Sequence, residues 1–311
     1  LSRTLNEIEG MFAFVLFDKK NNNIFLVRDK FGEKPLYYGK VNQYLFFASE
    51  LKSFSKIKNF NFEISDDALS YYFKYRYINS PLTIYKNFYK LDPSTFLKID
   101  INSSNFFSIN PSNQVKYWDI NKVISKNFSN NENNYEQSEK EIEESLIDSV
   151  SKRLISDVPV GTFLSGGIDS SLITSIASNI SSKKINTFTM KSEDSLYDES
   201  INAKKISKYL GTNHNEISTD NIDMEDLVLK LSSIYCEPFS DSSQLPTYII
   251  SEFAKTKVSV VLSGDGGDEI FGGYNRYIWN EYLWNRLNIL PINLRKLISK
   301  LFTNISPTNW D

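Results

Sequence analysis

The chain contains 311 residues, enough for two domains with a large core; 41% are hydrophobic and 23% are charged, as in soluble globular proteins. The formal net charge of −3 argues against a nucleic-acid partner, because phosphate recognition needs a basic face. One cysteine and one histidine exclude a disulfide framework and a Cys/His zinc site. No apolar run reaches the ~18 residues of a membrane span and no signal peptide opens the sequence, so we expect a cytoplasmic protein without a membrane partner.

The first hundred residues carry the pattern of antiparallel strands. Residues 11–17 form an apolar run that predicts a buried strand, and residues 24–27 follow a polar turn as its hairpin partner. A further strand is expected at 44–48, and short strands within 85–99. Residues 66–77 predict an amphipathic helix whose aromatic side chains line the core. This part of the chain is therefore expected to form an α+β domain.

The composition changes between residues 101 and 137, which are rich in Asn and Ser and poor in apolar side chains. Such a stretch is typical of a connection between domains. We accordingly divide the sequence into a domain at 1–118, a linker at 119–137 and a second domain at 138–311.

Strands and helices alternate in the second domain. The predicted helices are 139–155, 170–177, 199–210, 224–234 and 245–254, and the predicted strands are 158–164, 185–190, 214–217 and 258–262. This alternation predicts a doubly wound parallel sheet, in which ligands bind beyond the carboxyl ends of the strands. Residues 277–311 carry apolar residues at helical spacing on both sides of Pro291.

A glycine-rich loop follows the first of these strands. Residues 163–171 read Phe-Leu-Ser-Gly-Gly-Ile-Asp-Ser-Ser, a tight turn from a strand into a helix. The free N–H groups of a helix start attract anions, and glycines let a phosphate approach the backbone. Asp169 could hold a divalent cation on the phosphate oxygens. The Walker phosphate-loop motif is absent from the sequence, and an ordinary strand-to-helix turn is the alternative.

A second loop follows the last predicted strand. Residues 263–269 read Ser-Gly-Asp-Gly-Gly-Asp-Glu, so three acids lie close together and would repel one another without a cation. The spacing does not fit a calcium loop, and a plain acidic turn is the alternative. Since both loops leave carboxyl ends of parallel strands, Asp169 and Asp268 could together hold Mg²⁺ on a nucleotide.

Motifs in both halves carry family resemblances. Ser-Gly-Gly-x-Asp-Ser at 165–170 resembles the pyrophosphate loop of ATP pyrophosphatases, which adenylylate a carbonyl oxygen. Residues 10–14, 28–38 and 48–50 resemble the closing part of the glutaminase domain of class II glutamine amidotransferases. On composition alone, residues 28–38 would be a charged, solvated loop closing at Pro35.

Taken together, the motifs from Gly10 to about Arg276 resemble those of glutamine-hydrolysing asparagine synthetases. The resemblance implies an α/β protein: the C-terminal part of an α+β N-terminal-nucleophile glutaminase domain, followed by a doubly wound parallel-sheet ATP-pyrophosphatase domain. It implies amidation of aspartate, with glutamine or ammonia as nitrogen donor, through a β-aspartyl-adenylate that releases AMP and pyrophosphate. ATP, Mg²⁺ and small-molecule substrates are the expected ligands, and a homodimer is an assembly that the resemblance allows.

The resemblance also implies roles for individual residues. Asp265 stands where the family carries an acid needed for the adenylate, and it is one methylene shorter than the usual Glu. Asp169 and Asp268 are the expected metal ligands. The expected ATP-binding residues are Leu164, Ser165, Gly166, Gly167, Asp169, Ser170, Met190, Ser263 and Gly264. The family places a catalytic lysine and further acceptor contacts beyond the sequence given.

Several questions stay open at this stage. The family nucleophile is an N-terminal cysteine, whereas residue 1 is Leu and Cys236 lies far along the chain, so we expect no glutamine hydrolysis from this segment alone. Residues 197–199 and 237–243 could line the acceptor pocket, and Asp198 or Glu199 could equally cap a helix. Cys236 and His214 are expected to be structural. Amidation of another carboxylate, such as a sugar acid, and a non-catalytic ATP-binding remnant are the alternative functions.

Overall fold

The computed structural model describes residues 1–57, 62–102, 110–127, 134–192, 198–220 and 222–303. Two compact units account for the chain. Unit one comprises Leu1–Glu143 together with Asn221–Ser251, and unit two comprises Glu144–Asp220 together with Glu252–Asp311. Residues 221–251 therefore group with the first unit, although they lie in the second half of the sequence.

The described elements before residue 130 belong to unit one. They are α1 (Ser2–Glu7), β1 (Ala13–Asp18), β2 (Asn23–Arg28), β3 (Tyr37–Val41), β4 (Tyr44–Ala48), α2 (Asp66–Tyr75), β5 (Phe88–Lys90), β6 (Thr95–Asp100), β7 (Val115–Lys116) and α3 (Ile120–Asn127). Two antiparallel sheets result, one in the order β1-β2-β6-β7 and the other in the order β4-β3-β5. Hairpins of this kind confirm the α+β prediction for this part of the chain.

The later elements begin with α4 (Tyr135–Leu154). In chain order they continue with β8 (Val160–Phe163), α5 (Ile168–Ile180), β9 (Asn186–Lys191), α6 (Ser200–Leu210), β10 (Asn213–Ser218), α7 (Met224–Ile234), α8 (Gln244–Lys255), β11 (Val260–Leu262), α9 (Gly267–Phe271), α10 (Asn275–Leu287) and α11 (Ile292–Thr303). Helices α10 and α11 lie on either side of Pro291, as the spacing of the tail predicts.

Unit two contains a four-stranded sheet in the order β10-β9-β8-β11, and every neighbouring pair is parallel. The doubly wound parallel sheet predicted from the sequence is thereby confirmed. Val150 of α4, Ile176 and Ala177 of α5 and Ile185 form a buried cluster beside the sheet. Because β8 and β11 are neighbours, the loops that follow them emerge side by side at the carboxyl edge.

The apolar run at the start of the chain is less buried than predicted. Met11 precedes β1 and is 64% exposed, while Leu16 and Phe17 within the strand are also exposed. Among the described strands β1 pairs only with β2, at the end of its sheet, so fewer side chains pack over it. The expectation of a fully buried strand at 11–17 is wrong.

The aromatic helix α2 also departs from its prediction. Ala68 is buried, and Tyr72 packs against the cluster that contains Leu51, Phe54 and Phe88. The remaining aromatic residues of this region, Tyr71, Phe73, Tyr75 and Tyr77, are exposed. They point away from the core because a helix has only one stripe that can face it. Tyr72 therefore lines the core as predicted, whereas the other aromatic residues of α2 do not.

The Asn/Ser-rich connection contains regular structure. Residues 115–116 form β7, residues 120–127 form α3, and α4 begins at Tyr135. Tyr117 lies in the apolar cluster of Leu5 and Val27. Residues 103–109 and 128–133 of the predicted connection lie outside the described residues.

Candidate active site

The loop after β8 is organised by hydroxyl groups. The Ser165 and Ser170 hydroxyls lie 2.9 Å apart, and Ser170 Oγ also accepts the backbone N–H of Ser165 at 3.2 Å. The Gly167 N–H donates to Ser165 Oγ at 3.2 Å, and the Ser171 hydroxyl donates to the Gly167 carbonyl at 2.6 Å. These contacts hold the loop in a tight turn at the start of α5, where free backbone N–H groups attract anions.

Gly166 must be a glycine for two reasons. Its φ is +89°, a conformation that side-chain-bearing residues rarely adopt. A Cβ at this position would also lie 2.9 Å from the backbone nitrogen of Ala203 and 2.9 Å from the Cβ of Asn202, both in α6. The start of α6 therefore covers one side of the loop. No local pattern predicts this contact, since the two segments are far apart along the chain.

The loop after β11 packs directly on the loop after β8. A Cβ on Gly264 would come 2.8 Å from the Ser170 nitrogen and 2.9 Å from the Asp169 Cβ. A Cβ on Gly267 would overlap the carboxylate of Asp169. Glycine at both positions lets the two loops touch. The pairing of β8 with β11 thus brings the two predicted loops together at one edge of the sheet.

Buried hydroxyl groups hold the end of β8 and the start of the loop that follows it. The hydroxyl of Thr189, which is 2% exposed, donates to the Leu164 carbonyl at 2.5 Å. The hydroxyl of Thr174 on α5 donates to that of Thr162 on β8 at 3.0 Å, with both residues buried. The sequence pattern does not single out Thr162 or Thr189, because a Thr in a strand is also simply a good strand former.

Comparisons with known proteins bear on this arrangement. The asparagine synthase family model matches residues 141–308, more than half of the chain, and the glutamine amidotransferase domain model matches residues 2–118. The chain belongs to the asparagine synthase family. Both glycine-rich loops lie within the range that the asparagine synthase model matches.

Individual relatives agree with the family. A Methanocaldococcus jannaschii protein provisionally named asparagine synthetase [glutamine-hydrolyzing] 2 is 39% identical over 96% of this chain and 56% of its own length. Asparagine synthetase [glutamine-hydrolyzing] 1 of Bacillus subtilis is 34% identical over 88% of this chain and 41% of its own length. The chain thus spans about half the length of the curated relatives it matches.

Solved structures also resemble part of the chain. The NH3-dependent NAD synthetase of Campylobacter jejuni, in complex with the nitrate ion, overlaps 54% of this chain and 89% of its own. Its sequence identity is 17% and its TM-score is 0.33, too low to bear on the chain's function.

The residues that the family resemblance assigns to the nucleotide differ in exposure. Leu164 has no exposed surface, and its N–H donates to the Phe188 carbonyl at 3.0 Å. Met190, near the end of β9, and Ser263, directly after β11, are half-buried. Ser165 and Gly167 are exposed. The exposed residues among those assigned to the nucleotide therefore lie in the glycine-rich loop after β8, and Leu164 is buried beneath them.

The acids of the second loop have separate local partners. The Ser263 hydroxyl donates to the exposed Asp265 at 3.0 Å. The carboxylate of Asp268 lies where a Cβ on Gly273 would be. The Tyr274 hydroxyl donates to Glu269 at 2.7 Å, which lowers the pKa of that carboxyl below its ordinary value. The described contacts of Asp268 are thus within its own loop, whereas those of Asp169 reach across to Gly264 and Gly267.

The other residues singled out in unit two have structural contacts. His214 Nδ1 lies 3.0 Å from the Thr187 hydroxyl and Nε2 lies 3.1 Å from Glu216, near the starts of β9 and β10 and so away from the loops. Asp198 accepts the Ser200 N–H at 3.1 Å at the beginning of α6, and its pKa is lowered by hydrogen bonding to Ser200. The contact is local and lies just before the helix, whose N-cap residue Glu199 makes no side-chain capping hydrogen bond. Tyr197 lies outside the described residues.

Glu237 begins the segment 237–243 that could line the acceptor pocket, and its described contacts lie within unit one. It follows helix α7 rather than a strand, and both carboxylate oxygens are engaged within unit one, by Lys90 and by the Ile84 N–H. Cys236 is half-buried and packs against the same unit's core cluster. The segment groups with the first unit, and its place at an acceptor pocket stays a prediction.

In the Arg28–Tyr38 motif of the amidotransferase part, the first two charged side chains bind backbone groups of the protein instead of facing solvent. Asp29 is 1% exposed and accepts backbone N–H groups of Phe12, Phe31, Glu33 and Lys34 at 2.8 to 3.2 Å. The Arg28 guanidinium donates to the carbonyls of Gly32, Lys34 and Leu91 at 2.6 to 3.0 Å. The solvated-loop alternative is therefore wrong, and these charges hold the loop's shape.

None of the helices in the described part of the chain is both long and apolar enough to cross a bilayer.

Proposed function

We propose that the protein carrying this chain makes asparagine from aspartate and ATP, with glutamine or ammonia as the nitrogen donor. The observation that carries the proposal is the contact of the two loops through Asp169 and Gly267 at the carboxyl ends of adjacent parallel strands. Family membership and the relatives' names favour asparagine over another amide.

In this proposal the side-chain carboxylate of aspartate attacks the α-phosphorus of ATP and pyrophosphate leaves. Ammonia then attacks the acyl carbon and AMP leaves, giving the amide. The N–H groups at the start of α5, with Ser165, Gly166, Gly167 and Ser170, bind the phosphates. Asp265 is exposed beside them and takes part in forming the adenylate.

The adenosine end is proposed to lie against Met190, Ser263 and Gly264, above the buried Leu164. Asp169 and Asp268 are both half-buried carboxylates, and no group of three His, Cys, Asp or Glu that could cage a metal occurs among the described residues. That donor set suits Mg²⁺, which takes one or two carboxylates and completes its shell with phosphate oxygens and water. When bound, Mg²⁺ would neutralise charge on the departing pyrophosphate.

We further propose the division into an amidotransferase part at 1–118, a linker at 119–137 and a synthetase part at 138–311. The amidotransferase part would supply ammonia from glutamine in a protein that also carries the N-terminal cysteine. We also propose that the protein is located in the cytoplasm and forms a homodimer.

The experiment uses the full-length gene product with Mg-ATP, aspartate and either glutamine or ammonium. The proposal predicts asparagine, AMP and pyrophosphate in equal amounts. Other carboxylates, including sugar acids, should give less than a tenth of the product. Formation of ADP and phosphate would contradict adenylation, and amidation of another acid in preference to aspartate would contradict the substrate assignment. ATP binding without any turnover would support the remnant alternative.

A further inference from the structure

Unit one contains an ion pair that is nearly buried. Neither of its residues belongs to the two glycine-rich loops. Lys90 Nζ, at the end of β5, lies 2.6 Å from Glu237 Oε2, just after α7. The two side chains are 16% and 10% exposed. By contrast, Lys86 and Glu63, also in unit one, are 45% and 70% exposed and lie 3.4 Å apart. Exposed pairs of that kind contribute little.

The buried pair is fully supported by the backbone around it. Glu237 Oε1 accepts the Ile84 N–H at 2.7 Å, and Lys90 Nζ donates to the Ile78 carbonyl at 2.7 Å. Removing either partner would leave a buried charge without its counterion, which is strongly unfavourable. The pair therefore fixes Glu237 to the β3–β5 side of unit one.

The residues around Glu237 are tied to the same unit. The Ser240 N–H donates to the Arg76 carbonyl at 2.7 Å, at the end of α2, and Lys52 Nζ donates to the Ile234 carbonyl at 3.3 Å. The Tyr235 hydroxyl donates to the Gln244 carbonyl at 2.7 Å and closes the turn. We call residues 234–244 the tethered segment.

The tethered segment and its partners match different family models. Lys52, Arg76 and Lys90 lie in the range of the amidotransferase model, 2–118, whereas residues 234–244 lie in the range of the asparagine synthase model, 141–308. Within one compact unit, then, a piece of synthetase sequence is held by amidotransferase sequence. Among the contacts described for this segment, the one between two charged side chains joins Lys90 to Glu237.

We propose that Lys90 and Glu237 are positioning residues that hold the tethered segment on the amidotransferase part, and that this connection is required for amide synthesis when the nitrogen donor is glutamine rather than free ammonia. The second half of the statement rests on the proposed function. Free ammonia enters from solvent and does not need the alignment, so its use should be insensitive to the pair.

The first test is amide hydrogen exchange of the 311-residue chain, read by mass spectrometry. Lys90→Met and Glu237→Gln should each speed exchange of residues 234–244 at least tenfold, with β1 and β2 changing less than twofold. Lys90→Arg should restore slow exchange, and the matched exposed control Lys86→Met should have no effect. The double variant should exchange no faster than either single one, because it leaves no charge unpaired.

Two exchange results would overturn the tether. One is no change at 234–244 in either single variant. The other is an equal acceleration over all of unit one, which would mean that the pair contributes only to global stability.

The second test uses the full-length gene product. Lys90→Met should lower glutamine-dependent amide formation at least tenfold relative to Lys86→Met, with the ammonia-dependent rate changing less than twofold. Equal loss with both donors, or loss with neither, would overturn the coupling. If the unmodified protein made no amide from either donor, the proposed function and the coupling would both fail, whereas the exchange result would still decide the tether.

Discussion

The carboxylate of Asp169, in the first turn of α5, lies against the α-carbon of Gly267, the first residue of α9. These residues are almost a hundred positions apart in the sequence, and they meet because β8 and β11 are adjacent and parallel. The contact joins two glycine-rich loops into one surface. The nucleotide site proposed above depends on it.

Gly267→Ala should separate the loops. The added Cβ would overlap the Asp169 carboxylate, so one loop must move. We expect Mg-ATP affinity of the chain, measured by isothermal titration calorimetry, to fall at least about tenfold, or ~1.4 kcal/mol. Gly211→Ala is the control: Gly211 has φ +71° with no atom near its Cβ position, so alanine there should lower Tm but keep ATP affinity. Unchanged affinity in Gly267→Ala would argue against a shared site.

Asp169→Asn and Asp268→Asn should each weaken ATP binding in the presence of Mg²⁺. Asparagine keeps the shape but removes the charge that a hard divalent cation prefers. We expect at least about a tenfold loss with Mg²⁺ and a much smaller change in EDTA. The exposed Asp157→Asn serves as the control. Equal losses with and without Mg²⁺ would show that the carboxylates do not bind the metal.

Thr189→Val should destabilise unit two. The substitution keeps the side-chain shape but leaves the buried Leu164 carbonyl without its hydroxyl donor, at a cost of about 1–3 kcal/mol in unfolding free energy. Thr256 makes the same kind of bond, to the Phe253 carbonyl at 2.7 Å, but is exposed. Thr256→Val should therefore cost less than about 0.5 kcal/mol. Urea unfolding followed by tryptophan fluorescence measures both, and equal costs would contradict the buried support.

The Tyr274–Glu269 hydrogen bond predicts a pH dependence. Because the bond lowers the pKa of Glu269 in the folded chain, its stabilisation is complete above the unfolded pKa and is lost as pH falls through the lowered value. Tyr274→Phe should raise the pKa of Glu269 toward its ordinary value, measured by carboxyl NMR titration. The stability difference between the two proteins should be constant above about pH 5 and shrink below it. A difference that grows in acid would refute this sign.

The sequence was sufficient for the parallel sheet and for placing its two glycine-rich loops at the same edge. Alternating strands and helices fix which edge of the sheet carries the loops. The contact of Asp169 with Gly267 also depends on the pairing of β8 with β11, which the alternation does not specify. Exposure was harder to predict: Phe73 and Tyr75 have the apolar character of core residues, but only one stripe of α2 faces the core.

Contacts between distant segments were not predictable. The residues around Glu237 do not identify Lys90 as its partner. The local pattern of apolar residues predicts a helix, but it does not predict the unit on which that helix packs. The contacts of Thr189 with Leu164 and of Asn202 with Gly166 likewise depend on how strands and helices are placed, which a single sequence does not specify.

The central claim, that ATP is used to adenylylate a carboxylate, is tested most directly with aspartate labelled with ¹⁸O in its side-chain carboxylate. The full-length gene product would be given this substrate with Mg-ATP and ammonium, and the nucleotide products analysed by mass spectrometry. The account predicts one ¹⁸O atom in each AMP released. AMP without the label, or ADP as the product, would contradict it.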